Sequence, residues 1–447
     1  MPTELLAALL GSIVLLLVLV LYFRLHAFLA LLLASIAFGL GAGMSPTLVI
    51  ENITKGMGGT LAFVATIVGL GAILGGILEH SGGSQALAQF LLKRMGEERA
   101  PLAFALTGFF IAIPVFFDVA FILLMPLVYA LGRKTGKSLL HYALPLLAGL
   151  AATHAFIPPT PGPIAVADIV QADLGWVIGL GFVVGIPSVG LAGLWFGRRA
   201  GDRHFVPAPA TAVPAIASRS LPPVGLILSL IFAPIVLILG HTLTKMQVEA
   251  GVWAEHWLLD AIVFVGHPYV SLLLSCCMAL YFLGVRRGVS TAELQQLAGK
   301  ALLPAGTIIL ITGAGGVYKQ MLVESGTGKL LAETLLTYTA LPVLLAFVLA
   351  ALVRLLQGSA TVAMITAAGL LAPALPELAL STAQLALVVL SIAAGASTCS
   401  HLNDSGFWLV KEYLGMNEAQ TLRTWTVMTG LLSLVALSVI LMLYFIV

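Results

Sequence analysis

Charge is the first thing this sequence lacks: 21 basic and 19 acidic side chains among 447 residues, or 9%. A soluble domain carries about 25%, so water is not this chain's main solvent. The formal balance of +2 leaves no basic surface for nucleic acid. Cysteine is nearly missing too, with three in all and two of them, Cys276 and Cys277, adjacent. That excludes a disulfide framework. Enzyme signatures are absent as well, since neither His-Glu-x-x-His nor Gly-x-Ser-x-Gly occurs. The glycine clusters Ser81-Gly82-Gly83 and Ser325-Gly326-Thr327-Gly328 are followed by no Gly-Lys-Ser/Thr, so they are loop chemistry, not phosphate loops. No catalytic activity, cofactor or metal is expected.

What is present is hydrocarbon: 60% of the residues are apolar and mean hydropathy is +1.09. Runs near the ~20 residues that span a bilayer fall at about 4–22, 26–43, 60–79, 175–197, 224–243, 268–285, 300–318 and 424–446. The first, Leu5–Leu21, has no basic n-region or small-residue cleavage site and reads as a spanning helix, not a signal peptide. The sequence therefore predicts an all-α, multi-pass protein in contact with membrane lipid. Two apolar segments, 101–132 and 341–372, are interrupted at Pro114 to Asp118 and at Arg354 to Ser359. Their arms are short, which favours re-entrant helical hairpins over paired tilted spans. Residues 140–172 and 383–411 read as broken helices, interrupted at Thr153–Pro163 and Thr398–Gly406.

Hairpin, broken helix and final helix occur in that order twice, and short matches support a repeat: His26 aligns with His267, Gly69 with Gly313, Gly71 with Gly315, Ser81 with Ser325 and Leu87 with Leu331. The expected organisation is repeat 1 at 1–200, a cytoplasmic linker at 201–223 and repeat 2 at 224–447. Basic residues of short loops collect in the cytoplasm. In the first half these are Arg24, Lys93, Arg94, Arg99, Arg133, Lys134 and Lys137; the equivalent loops 321–340 and 373–382 hold one Lys and no Arg, while Arg286 and Arg287 sit at the opposite helix end. The second half should be inverted, with both termini external.

Non-helical backbone at membrane depth survives only where protein or a wet cavity satisfies it, so the interruptions are the candidate site. The N-termini of broken helices favour an anion. Four prolines prevent helix across the first break, where Thr153, His154, Thr160 and Gly162 are candidates. The second break offers Ser400, His401, Asn403 and Asp404, and the second hairpin tip Arg354, Gly358, Ser359 and Thr361. Such hydroxyls and amides suit a polyhydroxylated substrate, with Arg354 as anion partner; the alternative for Arg354 is a salt bridge to Asp118 or Asp404. Asp118, flanked by Phe117 and Val119, is costly to keep ionised in apolar surroundings and is the candidate for proton coupling. His26 and His267 read as solvated helix ends.

Six stretches carry a family resemblance: Gly56-Met-Gly-Gly-Thr60, Phe116-Phe-Asp-Val-Ala-Phe121, Thr153–Pro163, Ile311-Thr-Gly-Ala-Gly-Gly-Val-Tyr-Lys-Gln320, Gly358-Ser-Ala-Thr-Val-Ala363 and Ser400-His-Leu-Asn-Asp-Ser-Gly-Phe-Trp-Leu409. Together they make the chain resemble the gluconate permease family of proton-coupled symporters over essentially its whole length. The resemblance implies a homodimer in the bacterial inner membrane, with a scaffold part and an elevator-like moving part. It also implies uptake of gluconate or a related sugar acid together with a proton, the alternative being another small hydroxy acid or D-serine. The Pro-Pro-x-Pro-Gly-Pro break and Arg354 before Gly-Ser-Ala-Thr resemble the gluconate branch.

Overall fold

A computed structural model describes residues 3–209, 221–254, 256–327 and 341–447. Residues 210–220 of the expected linker, Gly328 and Leu331 lie outside the described residues. Those described are helical, with no strand among them. Among the described residues, seven helices are long and apolar enough to cross a membrane.

The chain runs α1 (Thr3–Leu21), α2 (Ala27–Gly41), α3 (Pro46–His80), α4 (Gly83–Met95), α5 (Ala100–Ile111), α6 (Phe117–Thr135), α7 (Leu140–Phe156) and α8 (Pro161–Val170). It continues with α9 (Leu174–Arg203), α10 (Val224–Glu249), α11 (Trp257–Gly266), α12 (Pro268–Arg287) and α13 (Thr291–Glu324). The last part comprises α14 (Pro342–Gln357), α15 (Ala360–Leu371), α16 (Thr382–Ala396), α17 (Ser405–Leu414) and α18 (Glu418–Tyr444). Two elements, α4 and α11, were not anticipated. The spans expected at 60–79 and 300–318 belong to longer helices, α3 with 35 residues and α13 with 34. Their extensions carry Glu51 and Lys55 in one and Glu293, Lys319 and Glu324 in the other, which a hydropathy window rejects. Each starts from a serine cap, Ser45 or Ser290, whose hydroxyl accepts the backbone N–H three residues on, from Leu48 or Glu293.

Glycine lets α3 and α13 cross at backbone contact. A Cβ at Gly56 would fall 2.7 Å from the Gly316 carbonyl oxygen and from Val317 Cα, so no side chain fits there. The same device joins α5 to α7: a Cβ at Gly149 would lie 2.7 Å from the Phe109 nitrogen. Helices α7 and α16 are apolar all round and almost wholly buried, as expected of core helices. The two broken helices thus occupy the centre, with α5 and α14 packed on them and α9 and α18 alongside.

The interruptions are narrower than the sequence implied. α6 begins at Phe117, so Asp118 lies in its first turn. α14 runs through Gln357 and ends because Gly358 adopts φ +89°, leaving Arg354 in its last turn. Thr153 and His154 remain helical within α7, and the first break proper is Ile157–Thr160, with a cis Pro158–Pro159 bond. His26 and His267 cap α2 and α12, each Nδ1 accepting the N–H two residues on, at 3.4 and 3.3 Å.

Candidate functional site

Both hairpin tips and the second break meet at a cavity of about 530 Å³. Three helix starts face it: α6 through Phe116–Asp118, α15 through Ser359–Thr361 and α17 through Asp404–Gly406. The first break contributes less. From α7, Ala151, His154 and Ala155 reach the wall, while α13 adds only Pro304 and Ile308.

Arg354 is 5% exposed. Its Nη2 donates to Asp404 Oδ2, which also accepts the Ser400 hydroxyl. Ser400 Oγ in turn accepts the Trp425 indole N–H at 2.6 Å. The ion pair was one of the two readings open for Arg354, yet it uses a single nitrogen: Nε and Nη1 are buried without a partner. Two further residues of the same cavity each hold a buried, unpaired polar atom, His154 Nδ1 from α7 and Gln357 Oε1 from α14. A buried polar atom without a partner costs about 1–3 kcal/mol, so four of them at one cavity mark a place prepared for a polar ligand.

The second break is anchored to the end of α14. His401 Nε2 lies 3.1 Å from the Leu355 carbonyl, and Asn403 Nδ2 donates to the Leu355 and Leu356 carbonyls at 3.1 and 3.3 Å. A Cβ at Gly358 would sit 2.8 Å from Asn403 Cγ. Asp404 Oδ1 accepts the Gly406 N–H at 3.1 Å and caps α17. Asp118 is exposed to the cavity rather than enclosed by its apolar neighbours.

Nine expected residues therefore share one cavity: Asp118, His154, Arg354, Gly358, Ser359, Thr361, Ser400, Asn403 and Asp404. Four do not line it. Thr153 donates to the Phe109 carbonyl at 2.8 Å and joins α7 to α5. Thr160 donates to the Ile157 carbonyl at 2.9 Å beside a separate pocket of about 10 Å³ that His154 also borders. Gly162 is packed against Met364, and His401 serves the α14 terminus. The sequence reading missed Gln357, Trp425 and Thr429. For Trp425 the one available signal was an indole amid Thr424, Thr426 and Thr429; the π-helical turn Leu422–Thr426 that aims it at Ser400 has no sequence signature.

The model of the GntP family permease matches residues 3–446. The low-affinity gluconate transporter of Escherichia coli is 42% identical over 429 residues, covering 95% of each chain. The gluconate permease of Pseudomonas aeruginosa is 38% identical over 438 residues, covering 97% of this chain and 96% of its own. In fold, the YdaH transporter of Alcanivorax borkumensis superposes with a TM-score of 0.62 at 17% identity, over 90% of this chain and 87% of that one. The chain belongs to the GntP family of permeases, as a multi-pass transport protein of the bacterial inner membrane.

Proposed function

We propose that the protein takes up gluconate or a closely related sugar acid together with a proton, by alternating access. The observation that carries the reading is Arg354, a buried guanidinium with two unpaired donor atoms on a cavity rich in hydroxyl and amide groups. Arg354 receives the carboxylate; Ser359, Thr361, Ser400, Asn403 and His154 supply partners for hydroxyls. The names of the curated relatives point the same way.

Charge counting supports the proton. Asp118, Asp404 and Arg354 are the cavity's charged residues and sum to −1, so a monoanion raises the total to −2. Carrying that through apolar surroundings is costly, and protonating Asp118 returns the total to −1. Asp404 is the less suitable acceptor, because both its oxygens already hold donors. The walls support an elevator-like movement: polar groups come from α6, α7, α14, α15, α18 and the second break, whereas α13 presents only Pro304 and Ile308. The repeats at 1–200 and 224–447, oppositely oriented, are part of the proposal. The paired histidine caps and the recurrence of hairpin and broken helix support them. So is a homodimer, with α3 and α13 in its scaffold.

Proteoliposome uptake under imposed pH or Na⁺ gradients tests the reading. Gluconate should accumulate with ΔpH alone, and Asp118→Asn should keep gluconate exchange while losing accumulation. Full accumulation in Asp118→Asn would remove that residue from the coupling role; accumulation driven only by Na⁺ would replace the proton.

A further inference from the structure

Gln357 is the last residue of α14, three positions after Arg354, and both line the cavity. Residues so spaced on a helix stand side by side, about 5–6 Å apart at Cβ. Their unpaired atoms are of opposite kinds: Arg354 Nε and Nη1 are donors, Gln357 Oε1 is an acceptor. A carboxylate satisfies only the former, because it has no proton to give. The acceptor calls for a donor on the ligand, within reach of the carboxylate that Arg354 holds. The group nearest a carboxylate that can donate is a hydroxyl or ammonium on the adjacent carbon.

We infer that Gln357 is a specificity-determining residue that accepts a hydrogen bond from the 2-hydroxyl of the substrate, so that the site selects 2-hydroxycarboxylates. The inference deepens the sugar-acid reading and rests on its use of Arg354. The 3- to 6-hydroxyls are left to the wider set of polar groups on the other walls. Discrimination follows from the cost of an unfilled site. A substrate with the 2-hydroxyl removes the orphan acceptor, whereas its 2-deoxy analogue seals it away from water. Sites built to bind a substrate hydroxyl reject the analogue lacking it far more strongly than apolar pockets reject a missing methylene.

The test is competition in exchange assays with purified, reconstituted protein, comparing D-gluconate with its 2-deoxy and 3-deoxy analogues, and glycerate with 3-hydroxypropionate. Wild type should favour gluconate over 2-deoxygluconate by at least about tenfold, as one neutral hydrogen bond allows, and over the 3-deoxy analogue by less. Gln357→Met, similar in length and without the amide, should bring the 2-deoxy ratio to within about threefold, leaving the 3-deoxy ratio where it was. A wild-type protein that accepts 2-deoxygluconate as well as gluconate overturns the inference without any variant, as does a Met variant with the wild-type 2-deoxy ratio. If gluconate does not exchange but glycerate outcompetes 3-hydroxypropionate through Gln357, the sugar-acid reading fails and this one stands. If neither pair is discriminated, the role of Gln357 is refuted.

Discussion

Replacing Asp404 by Asn separates the counter-ion of Arg354 from the geometry around it. Both oxygens of Asp404 are acceptors: Oδ2 meets Arg354 Nη2 and the Ser400 hydroxyl, and Oδ1 meets the Gly406 N–H. An amide has one acceptor to offer. Turned with its oxygen toward Arg354, the Asn sets its NH₂ against the Gly406 N–H and loses the α17 cap, worth about 1 kcal/mol. Turned the other way, it opposes donor to donor at Arg354. In either pose a guanidinium that is 5% exposed, beside a carboxylate that was 14% exposed, keeps its charge without a counter-ion. Removing one partner of such a buried pair costs about 3–5 kcal/mol, a large share of the roughly 5–15 kcal/mol that holds a typical domain folded. Thermal unfolding in detergent should show the loss as a lowered midpoint. A substrate carboxylate can replace the missing charge, and ligand at 100 times its Kd contributes about 2.7 kcal/mol. Gluconate should therefore raise the midpoint of Asp404→Asn more than that of wild type. An unchanged midpoint, with an equal gluconate shift in both proteins, would refute the assignment of Asp404 as the counter-ion that the substrate anion joins.

Trp425→Phe keeps an aromatic ring against Phe117, now 5.7 Å between centroids, but removes the N–H that orients Ser400 toward Asp404. KM for gluconate should rise about three- to tenfold, as one lost neutral hydrogen bond allows, with kcat little changed; an unchanged KM would deny the indole a positioning role. Gly358→Ala forces a side chain into φ +89° and against Asn403, which should cost about 2–4 kcal/mol and show as a lower midpoint and less folded protein in the membrane. Accessibility labelling of single cysteines should find position 134 cytoplasmic and position 376 external; the same side for both would end the inverted-repeat proposal.

The membrane class, most of the spans and the four interruptions were legible because each rests on a local property, either a hydrophobic run or a helix breaker. What was not legible depends on long-range packing. α3 and α13 outgrow their hydropathy windows because their charged ends continue the helix beyond the apolar stretch, and a window measures polarity, not backbone. Thr153 and Thr160 are the right residue types in the right region, yet their hydroxyls are used by backbone carbonyls, and no sequence pattern tells a threonine that braces a helix from one that greets a ligand. Gln357 was missed for the opposite reason. It looks like an ordinary helix-terminal residue until the fold puts it on the cavity that Arg354 lines, with its carbonyl buried and nothing to accept from.

The distribution of satisfied helix ends supports the proposal that this site takes an anion. Every helix leaves bare carbonyls at its C-terminus and bare N–H groups at its N-terminus. Around this cavity the protein closes carbonyls with its own side chains: His401 and Asn403 serve the last turn of α14, and within the second break Thr426 takes the Ser400 carbonyl and Trp408 Nε1 takes the Leu402 carbonyl at 2.8 Å. Of the three N-terminal ends, α15 is capped by Ser359 and α17 by Asp404, but α6 has no side-chain cap. Its free N–H groups and positive dipole end, with Asp118 in the first turn, form a position that suits one negative charge. On the proposed reading that position is contested. An ionised Asp118 occupies it electrostatically while the cavity is wet, and a protonated Asp118 yields it to the substrate. Proton and anion then become coupled through one helix terminus, without any contact between them.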